Sequence, residues 1–177
     1  MKTTSVILTI CFIFLMGSMV SAQNKYIGAD KCKMCHNKLQ KGEQYNKWKK
    51  EKHSNAMASL KSQKSLDYAK KNGIADPSTD QKCVKCHSTA SSVDKKLHSG
   101  IKVAEGVSCE TCHGPGSNYK TDAIMSDRKL ALTKGMIMPE EKMCLKCHNN
   151  KENPFMKPFN YKTALTDISH PDPTLKK

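Results

Sequence analysis

Residues 106–116 read GVSCETCHGPG, in which Cys109 and Cys112 are followed directly by His113. The same C-x-x-C-H pattern occurs three more times, and the four copies contain eight of the nine cysteines. In chain order the four motifs are Cys32-Lys33-Met34-Cys35-His36, Cys83-Val84-Lys85-Cys86-His87, Cys109-Glu110-Thr111-Cys112-His113 and Cys144-Leu145-Lys146-Cys147-His148. Two thiols on one helical turn can reach the two vinyl groups of one haem, and the histidine then brings an imidazole to the iron. The sequence therefore predicts four covalently attached c-type haems.

Paired cysteines also occur in proteins that bind no haem. In an exported chain they could form four disulfides, and the spacing of Cys83/Cys86 and Cys109/Cys112 is loosely that of a zinc site. A lone C-x-x-C could also be a thioredoxin-like redox pair. None of these three roles requires a histidine after every second cysteine. Histidine is 7 of 177 residues, so four such coincidences have odds on the order of one in a million, and the haem interpretation is favoured.

The first 22 residues have the pattern of a secretory signal peptide. Lys2 provides a positive start, residues 6–16 form a short apolar run, and residues 20–22 (VSA) offer a small-residue cleavage site. The run is too short to span a bilayer comfortably, although an uncleaved signal would act as a marginal anchor. We expect cleavage after Ala22, export to the periplasm, and one haem-binding domain over residues 23–177.

The composition predicts a thin core and a basic surface. Hydrophobic residues make up 37% of the chain, below the roughly 45% of ordinary globular proteins, and porphyrins would fill the missing volume. The formal net charge is +14, which the haem propionates would reduce. Export and the scatter of the basic residues argue against nucleic acid, so we expect acidic redox proteins as partners. Contact with a membrane would be transient or through an uncleaved signal.

Three histidines remain to serve as distal ligands of four irons. Besides the motif histidines, the chain contains His53, His98 and His170. One haem is therefore five-coordinate or binds another ligand, such as Met125 or Met136, and any of the three histidines could instead be structural.

Each of the three histidines is still a candidate iron ligand. His53 shares an otherwise apolar helical face with residues 56, 57 and 60. His170 closes a helix that is predicted to start near Asn160, because Pro171 prevents its continuation. His98 lies in a loop, where a solvated histidine would be equally ordinary.

The predicted fold class is mostly α with extensive loops, organised around the four haems. Residues 37–82 predict two or three helices with a stop at Gly73, and residues 78–80 can cap the helix of the second motif. Residues 114–116 (GPG) end the helix of the third motif. Pro139 is expected at the first position of the helix that carries the fourth motif. No alternation typical of strands is convincing.

These features resemble the tetrahaem cytochromes of the cytochrome c-554 type, a family of multihaem c-type cytochromes. The similarity covers residues 26–36, 53–60 and 106–116, and the last motif with the C-terminal helix. It implies an α-helical fold with closely packed haems and single-electron transfer. It also implies one five-coordinate, high-spin haem among bis-histidine haems.

The resemblance implies specific ligand pairs on this sequence. His53 would be the distal ligand of the haem at His148, and His170 that of the haem at His113. The haem at His87 would have no distal ligand from the protein.

The chain departs from the family at the first haem. The family has a distal histidine shortly after the GPG turn, where this chain reads TDA at residues 121–123. Either His98 reaches the haem of His36, or the distal position there is open or filled by methionine.

The sequence favours a periplasmic carrier of single electrons. Covalent haems in contact form a path for electrons, and axial ligation and burial set their potentials. The alternative is a small multihaem reductase or oxidoreductase that uses an open haem for a small nitrogen or oxygen compound. Since no motif has the C-x-x-C-K form and the chain is short, we favour the carrier and assign no catalytic residue.

Overall fold

Short helices joined by turns and loops form the protein in this computed structural model, which describes residues 23–149, 151 and 153–174. The predicted signal peptide, residues 1–22, lies outside the described residues. The α-helices in chain order are α1 Ala29–His36, α2 Gln44–Lys50, α3 Ala56–Ser59, α4 Gln63–Lys71, α5 Gln81–His87, α6 Thr89–Ser92, α7 Cys109–His113, α8 Asp122–Met125, α9 Arg128–Thr133, α10 Glu141–His148 and α11 Tyr161–Ile168. Single 3-10 turns lie at Leu39–Lys41, Lys95–Leu97, Val103–Glu105 and Gly116–Asn118.

The predicted mostly α class with extensive loops is confirmed. In the described part of the chain, β-structure is limited to one isolated parallel bridge between Tyr26 and His98. None of the described helices is long and apolar enough to cross a membrane.

Each C-x-x-C-H motif lies on a short helix that ends at the motif histidine. This holds for α1, α5, α7 and α10. Asp80 caps α5 by accepting a hydrogen bond from the Lys82 N–H at 2.8 Å, within the predicted capping segment. Gly114 follows α7 with φ 77°, a conformation that favours glycine and ends the helix. The two cysteines of a motif therefore share a helical turn beside the histidine.

Two predicted helix boundaries are confirmed. α4 ends at Lys71, and Gly73 just beyond it has φ 67°. Asn160 caps α11, because its side-chain oxygen accepts a hydrogen bond from the Thr163 N–H at 3.1 Å. That helix ends at Ile168, so the prediction that His170 closes it is wrong by two residues.

The predicted position of Pro139 is wrong by two residues. α10 begins at Glu141, and the preceding Glu140 is extended with φ −123° and ψ 156°. Pro139 therefore precedes the helix, and Glu141 places a carboxylate at its positive end.

Ten apolar side chains are buried in the described part of the chain, and four of them are alanines. They are Ile27, Ala29, Trp48, Leu60, Ala69, Val84, Ala90, Ile101, Tyr119 and Ala131. Larger side chains such as Met34 and Leu39 lie at the surface, 78% and 73% exposed. Side chains alone therefore make a thin core, as the composition predicts.

The segment before α1 is held against the chain that leads to α7. Tyr26 exchanges backbone hydrogen bonds with Leu97 and Ser99, at 2.8 and 2.7 Å. The next residue, Ile27, donates its N–H to Glu110 Oε1 at 2.9 Å, which places the first motif beside the third although the two are far apart in sequence.

A close backbone approach fixes the position of His53. The Val107 N–H donates to the His53 carbonyl at 2.9 Å, and Trp48 Nε1 donates to the Val107 carbonyl at 2.9 Å. Gly106 has φ 69°, and a Cβ on it would lie 2.5 Å from the His53 carbonyl oxygen. Only glycine permits this approach. The residues before the third motif therefore hold both α2 and His53 in place.

Candidate haem-binding sites

Two pairs of histidine rings, with their planes at 74° and 69°, lie at a spacing that fits one metal ion between them. The ring centroids of His53 and His148 are 6.1 Å apart, and those of His113 and His170 are 6.2 Å apart. An imidazole nitrogen binds a first-row metal at about 2 Å, so two rings on opposite sides of one iron have centroids about 6 Å apart. The spacing of both pairs therefore suits the two axial positions of a haem iron.

Burial favours the neutral form of these imidazoles. It lowers the pKa of His53, and the charge of His148 lowers it further. Burial also lowers the pKa of His113 and of His148. Neutral imidazole is the form that binds a metal, so the environment suits ligation.

Backbone carbonyls orient two of the motif histidines. Nδ1 of His87 lies 2.8 Å from the Ala56 carbonyl oxygen, and Nδ1 of His113 lies 3.3 Å from that of Ile137. A carbonyl oxygen only accepts, so Nδ1 donates in both contacts. Nε2 is then the nitrogen left for a metal.

Two further rings of the pairs, those of His170 and His148, are fixed differently. Nδ1 of His170 donates to the Ile168 carbonyl at 2.8 Å, just beyond the end of α11. His148 stacks on Phe159, with ring centroids 4.6 Å apart and planes at 19°. Sequence reasoning missed Phe159, because a single aromatic residue in a loop produces no periodic signal.

The motif cysteines are free thiols, and four of them approach each other in two pairs. Cys32 lies within hydrogen-bond reach of Cys109, and Cys86 within reach of Cys147. Burial raises the pKa of Cys112 to about 11, and burial together with Cys86 raises that of Cys147 to about 12. The attachment points of the first and third motifs are thus neighbours, as are those of the second and fourth. Over the described ranges, no three His, Cys, Asp or Glu side chains converge as an ion site.

The first and second motif histidines lack a facing ring. Among the described residues, neither His36 nor His87 is in ring contact with a second imidazole. Nδ1 of His36 lies 3.3 Å from Gln44 Oε1. His98 bridges to Tyr26 just before α1, and its Nε2 is buried without a hydrogen-bond partner. A buried nitrogen without a partner is costly, and an iron would satisfy it. Ligation by His98 stays a prediction.

The two candidate methionines lie in different places. Met125 ends α8, whereas Met136 directly precedes Ile137, whose carbonyl oxygen lies 3.3 Å from Nδ1 of His113. Met136 is therefore next in the chain to the residue whose carbonyl orients the His113 ring. Ligation by either methionine stays a prediction.

Known proteins match the chain over the region of these motifs. The family model described as cytochrome c554 and c-prime matches residues 31–114, which contain the first three motifs. Cytochrome c-554 of Nitrosomonas europaea is 31% identical over 157 residues. The chain belongs to the cytochrome c554 family.

The alignment covers 80% of this c554-type cytochrome and 65% of the length of its Nitrosomonas relative. No solved structure matches the chain. Membership of the family implies covalently bound haem c. The free motif thiols and the facing histidine rings are suited to hold it.

Proposed function

We propose that this c554-type cytochrome binds four haems c and carries single electrons between proteins of the periplasm. The observation that carries the proposal is the 6.1 and 6.2 Å spacing of two histidine pairs, each of which includes a C-x-x-C-H histidine. Haem iron supplies a one-electron centre that passes between ferric and ferrous states. The protein attaches, ligates and shields it. The periplasmic location rests on the signal-like pattern of residues 1–22.

Every motif would attach one haem and ligate its iron from one side. The thioether-forming cysteines are Cys32, Cys35, Cys83, Cys86, Cys109, Cys112, Cys144 and Cys147, and the proximal ligands are His36, His87, His113 and His148. Since each motif helix ends at its histidine, the cysteines and the histidine of one motif meet at one helix end.

Distal ligands distinguish the four sites. His53 would complete the site of His148, and His170 that of His113, as the ring spacing supports. His98, with its buried and unpartnered Nε2, would serve the first haem. The second haem would then be five-coordinate.

The contacts between thiols support a continuous electron path. Cys32 meets Cys109, and Cys86 meets Cys147, so the first haem would adjoin the third and the second would adjoin the fourth. Burial raises the pKa of Cys112, and the charge of Cys144 adds to that effect, which connects the third motif to the fourth. The resulting order is first, third, fourth, second.

The surface of the first motif is suited to an acidic redox partner. Met34 and Leu39 are 78% and 73% exposed, and Lys31, Lys33 and Lys38 are exposed around them. An apolar centre with a basic rim steers an acidic protein and brings it close to the end of the haem series. We expect the rate of electron exchange with an acidic donor or acceptor to fall as ionic strength rises.

Mass spectrometry tests the haem content. Protein exported together with a c-type maturation system should have the polypeptide mass plus four haems. Replacement of both cysteines of any one motif by alanine should remove one haem. A wild-type protein with the bare polypeptide mass would refute the proposal.

A second candidate function is reduction or oxidation of a small molecule at the second haem. Within the described residues, no second imidazole contacts the His87 ring. The iron of that haem would therefore have a free position at which a small molecule could bind. Nitric oxide, nitrite, hydroxylamine and peroxide are suitable probes. Rapid reduction by a donor protein without turnover of these compounds supports the carrier, and steady turnover supports the enzyme.

A further inference from the structure

Glu110 is a buried carboxylate inside a haem attachment motif. It lies between Cys109 and Thr111, and its side chain is only 2% exposed. A carboxylate is rarely buried so completely, because losing its hydration is costly unless hydrogen bonds replace the lost water.

Three backbone N–H groups surround this carboxylate. Ile27 and Gly116 donate to Oε1 at 2.9 and 2.7 Å, and Gly28 donates to Oε2 at 2.8 Å. Ile27 and Gly28 immediately precede α1, whereas Gly116 follows α7. A pocket that offers only donors is matched to an ionised carboxylate, which only accepts. Glu110 therefore joins the helices of the first and third motifs through one negative charge.

The charge of Glu110 shifts the pKa of a thiol in each of the two motifs. The hydrogen bond with Cys32 and burial raise the pKa of Cys109, and the charge of Glu110 adds to the rise. The same charge acts on Cys32, where it opposes the lowering of the pKa by the hydrogen bond with Cys109. Burial raises the pKa of Tyr26, and Glu110 again adds to the effect. Cys32 and Cys109 are the thiols at which the first and third haems would be attached next to each other.

We propose that Glu110 lowers the reduction potentials of the haems attached at the first and third motifs. The proposal rests on the proposed haem content of this cytochrome. A ferric haem carries one more positive charge than a ferrous haem, so a nearby negative charge stabilises the oxidised form. The effect is strong in a buried site, because the low dielectric constant hardly weakens it. Glu110 thereby makes one end of the haem series the more reducing end.

Glu105 offers a matched comparison in the same region. Its side chain accepts hydrogen bonds from the Ala29 N–H at 2.9 Å and the Lys102 N–H at 3.3 Å, so it also holds the start of α1. It is only half-buried, and burial raises the pKa of its carboxyl group. Solvent weakens its field, so its influence on the haems is smaller than that of Glu110.

Spectroelectrochemical titration of three variants separates charge from structure. Glu110→Gln removes the charge and keeps the size, Glu110→Asp keeps the charge and shortens the side chain, and Glu105→Gln removes the more exposed charge. We expect Glu110→Gln to raise two of the four potentials, with a smaller rise in Glu105→Gln. Glu110→Asp should lower thermal stability and leave the potentials near those of the wild type. Unchanged potentials in a four-haem Glu110→Gln protein would overturn the proposal.

A measurement on the wild-type protein covers the case in which Glu110→Gln does not mature. Redox-difference infrared spectroscopy, with carbon-13 labelling of glutamate, reports whether a carboxylate senses reduction of the haems. We expect a labelled carboxylate band to shift on reduction, and to persist in Glu105→Gln. The absence of any such band would overturn the proposal. A protein without haems refutes the proposed function, whereas four haems with insensitive potentials refute only the role of Glu110.

Discussion

The third and fourth motifs differ from the first and second in how completely their sites are formed by the polypeptide. His113 and His148 each face a second imidazole at the spacing of an axial pair. In the described part of the chain, His36 and His87 face none. In the described residues, the same motif therefore occurs in two settings, one with a second imidazole beside the motif histidine and one without.

The difference originates in how the distal residues are held. His53 is fixed through its own backbone by Val107 and the glycine before it. His170 is fixed at the end of α11 by the hydrogen bond from Nδ1 to the Ile168 carbonyl. The polypeptide itself places both rings, so ligation requires little reorganisation. The backbone of His98 is held in the bridge to Tyr26 and in the preceding turn, but among the described residues its buried Nε2 has no hydrogen-bond partner and its ring faces no motif histidine.

Removal of one haem from each kind of site should have the largest effect. We expect Cys144→Ala/Cys147→Ala to destabilise the protein more than Cys83→Ala/Cys86→Ala, because the former leaves two partly buried histidines without a metal. Mass spectrometry would verify the loss of one haem in each variant, and thermal unfolding would compare them. Equal destabilisation would contradict the distinction between the two kinds of site.

Loss of a distal histidine should change the spin state of one iron. We expect His53→Ala and His170→Ala each to convert one low-spin haem to high-spin, because each removes one axial ligand. Low-temperature EPR would count the two forms. His98→Ala sharpens the comparison, since the same conversion assigns His98 to the first haem, whereas an unchanged spectrum shows that the first site lacks a histidine partner.

Two glycines with nearly the same positive φ angle test how His53 is held. Gly106 and Gly73 have φ 69° and 67°, but only Gly106 has atoms within 4 Å of an added Cβ. We expect Gly73→Ala to cost about 1 kcal/mol and Gly106→Ala about 3 kcal/mol of stability, measured by denaturant unfolding of the haem-loaded protein. Gly106→Ala should also weaken the low-spin signal of the fourth haem. Similar losses of stability in the two variants would show that the close approach of Gly106 to His53 does not matter for stability.

The stacking of Phe159 on His148 should have the smallest effect. We expect Phe159→Leu to cost about 1 kcal/mol and to perturb the spectrum of one haem. Phe155→Leu is the control, because Phe155 packs against Tyr68 at 5.4 Å, and no motif histidine contacts its ring in the described residues. It should cost a similar free energy and leave the haem spectra unchanged. A spectral change in the control alone would contradict the assignment.

Features that depend on neighbouring residues were predictable from the sequence. Asp80 and Asn160 cap helices through N–H groups two or three residues away, and Gly73 ends α4 with its own φ angle. The four attachment motifs are equally local, because their chemistry fits within five residues. Pro139 was misplaced because Glu140, the residue after it, is still extended and α10 begins only at Glu141.

Features that depend on distant residues were not predictable. Glu110 occupies a variable position of its motif, and two of its donors, Ile27 and Gly28, lie more than 80 residues earlier. Phe159 reaches His148 only through the path of a loop. The pairing of His53 with His148 came from resemblance to a family, since no local pattern connects the two.

Low-temperature EPR of the fully oxidised protein, calibrated by its haem content, counts the irons that have two axial histidine ligands. We expect four haems, of which three give low-spin bis-histidine signals and one gives a high-spin signal. Four low-spin irons would show that the second site is not open. An absence of low-spin signals would show that the facing rings of His53 with His148 and of His113 with His170 do not share an iron.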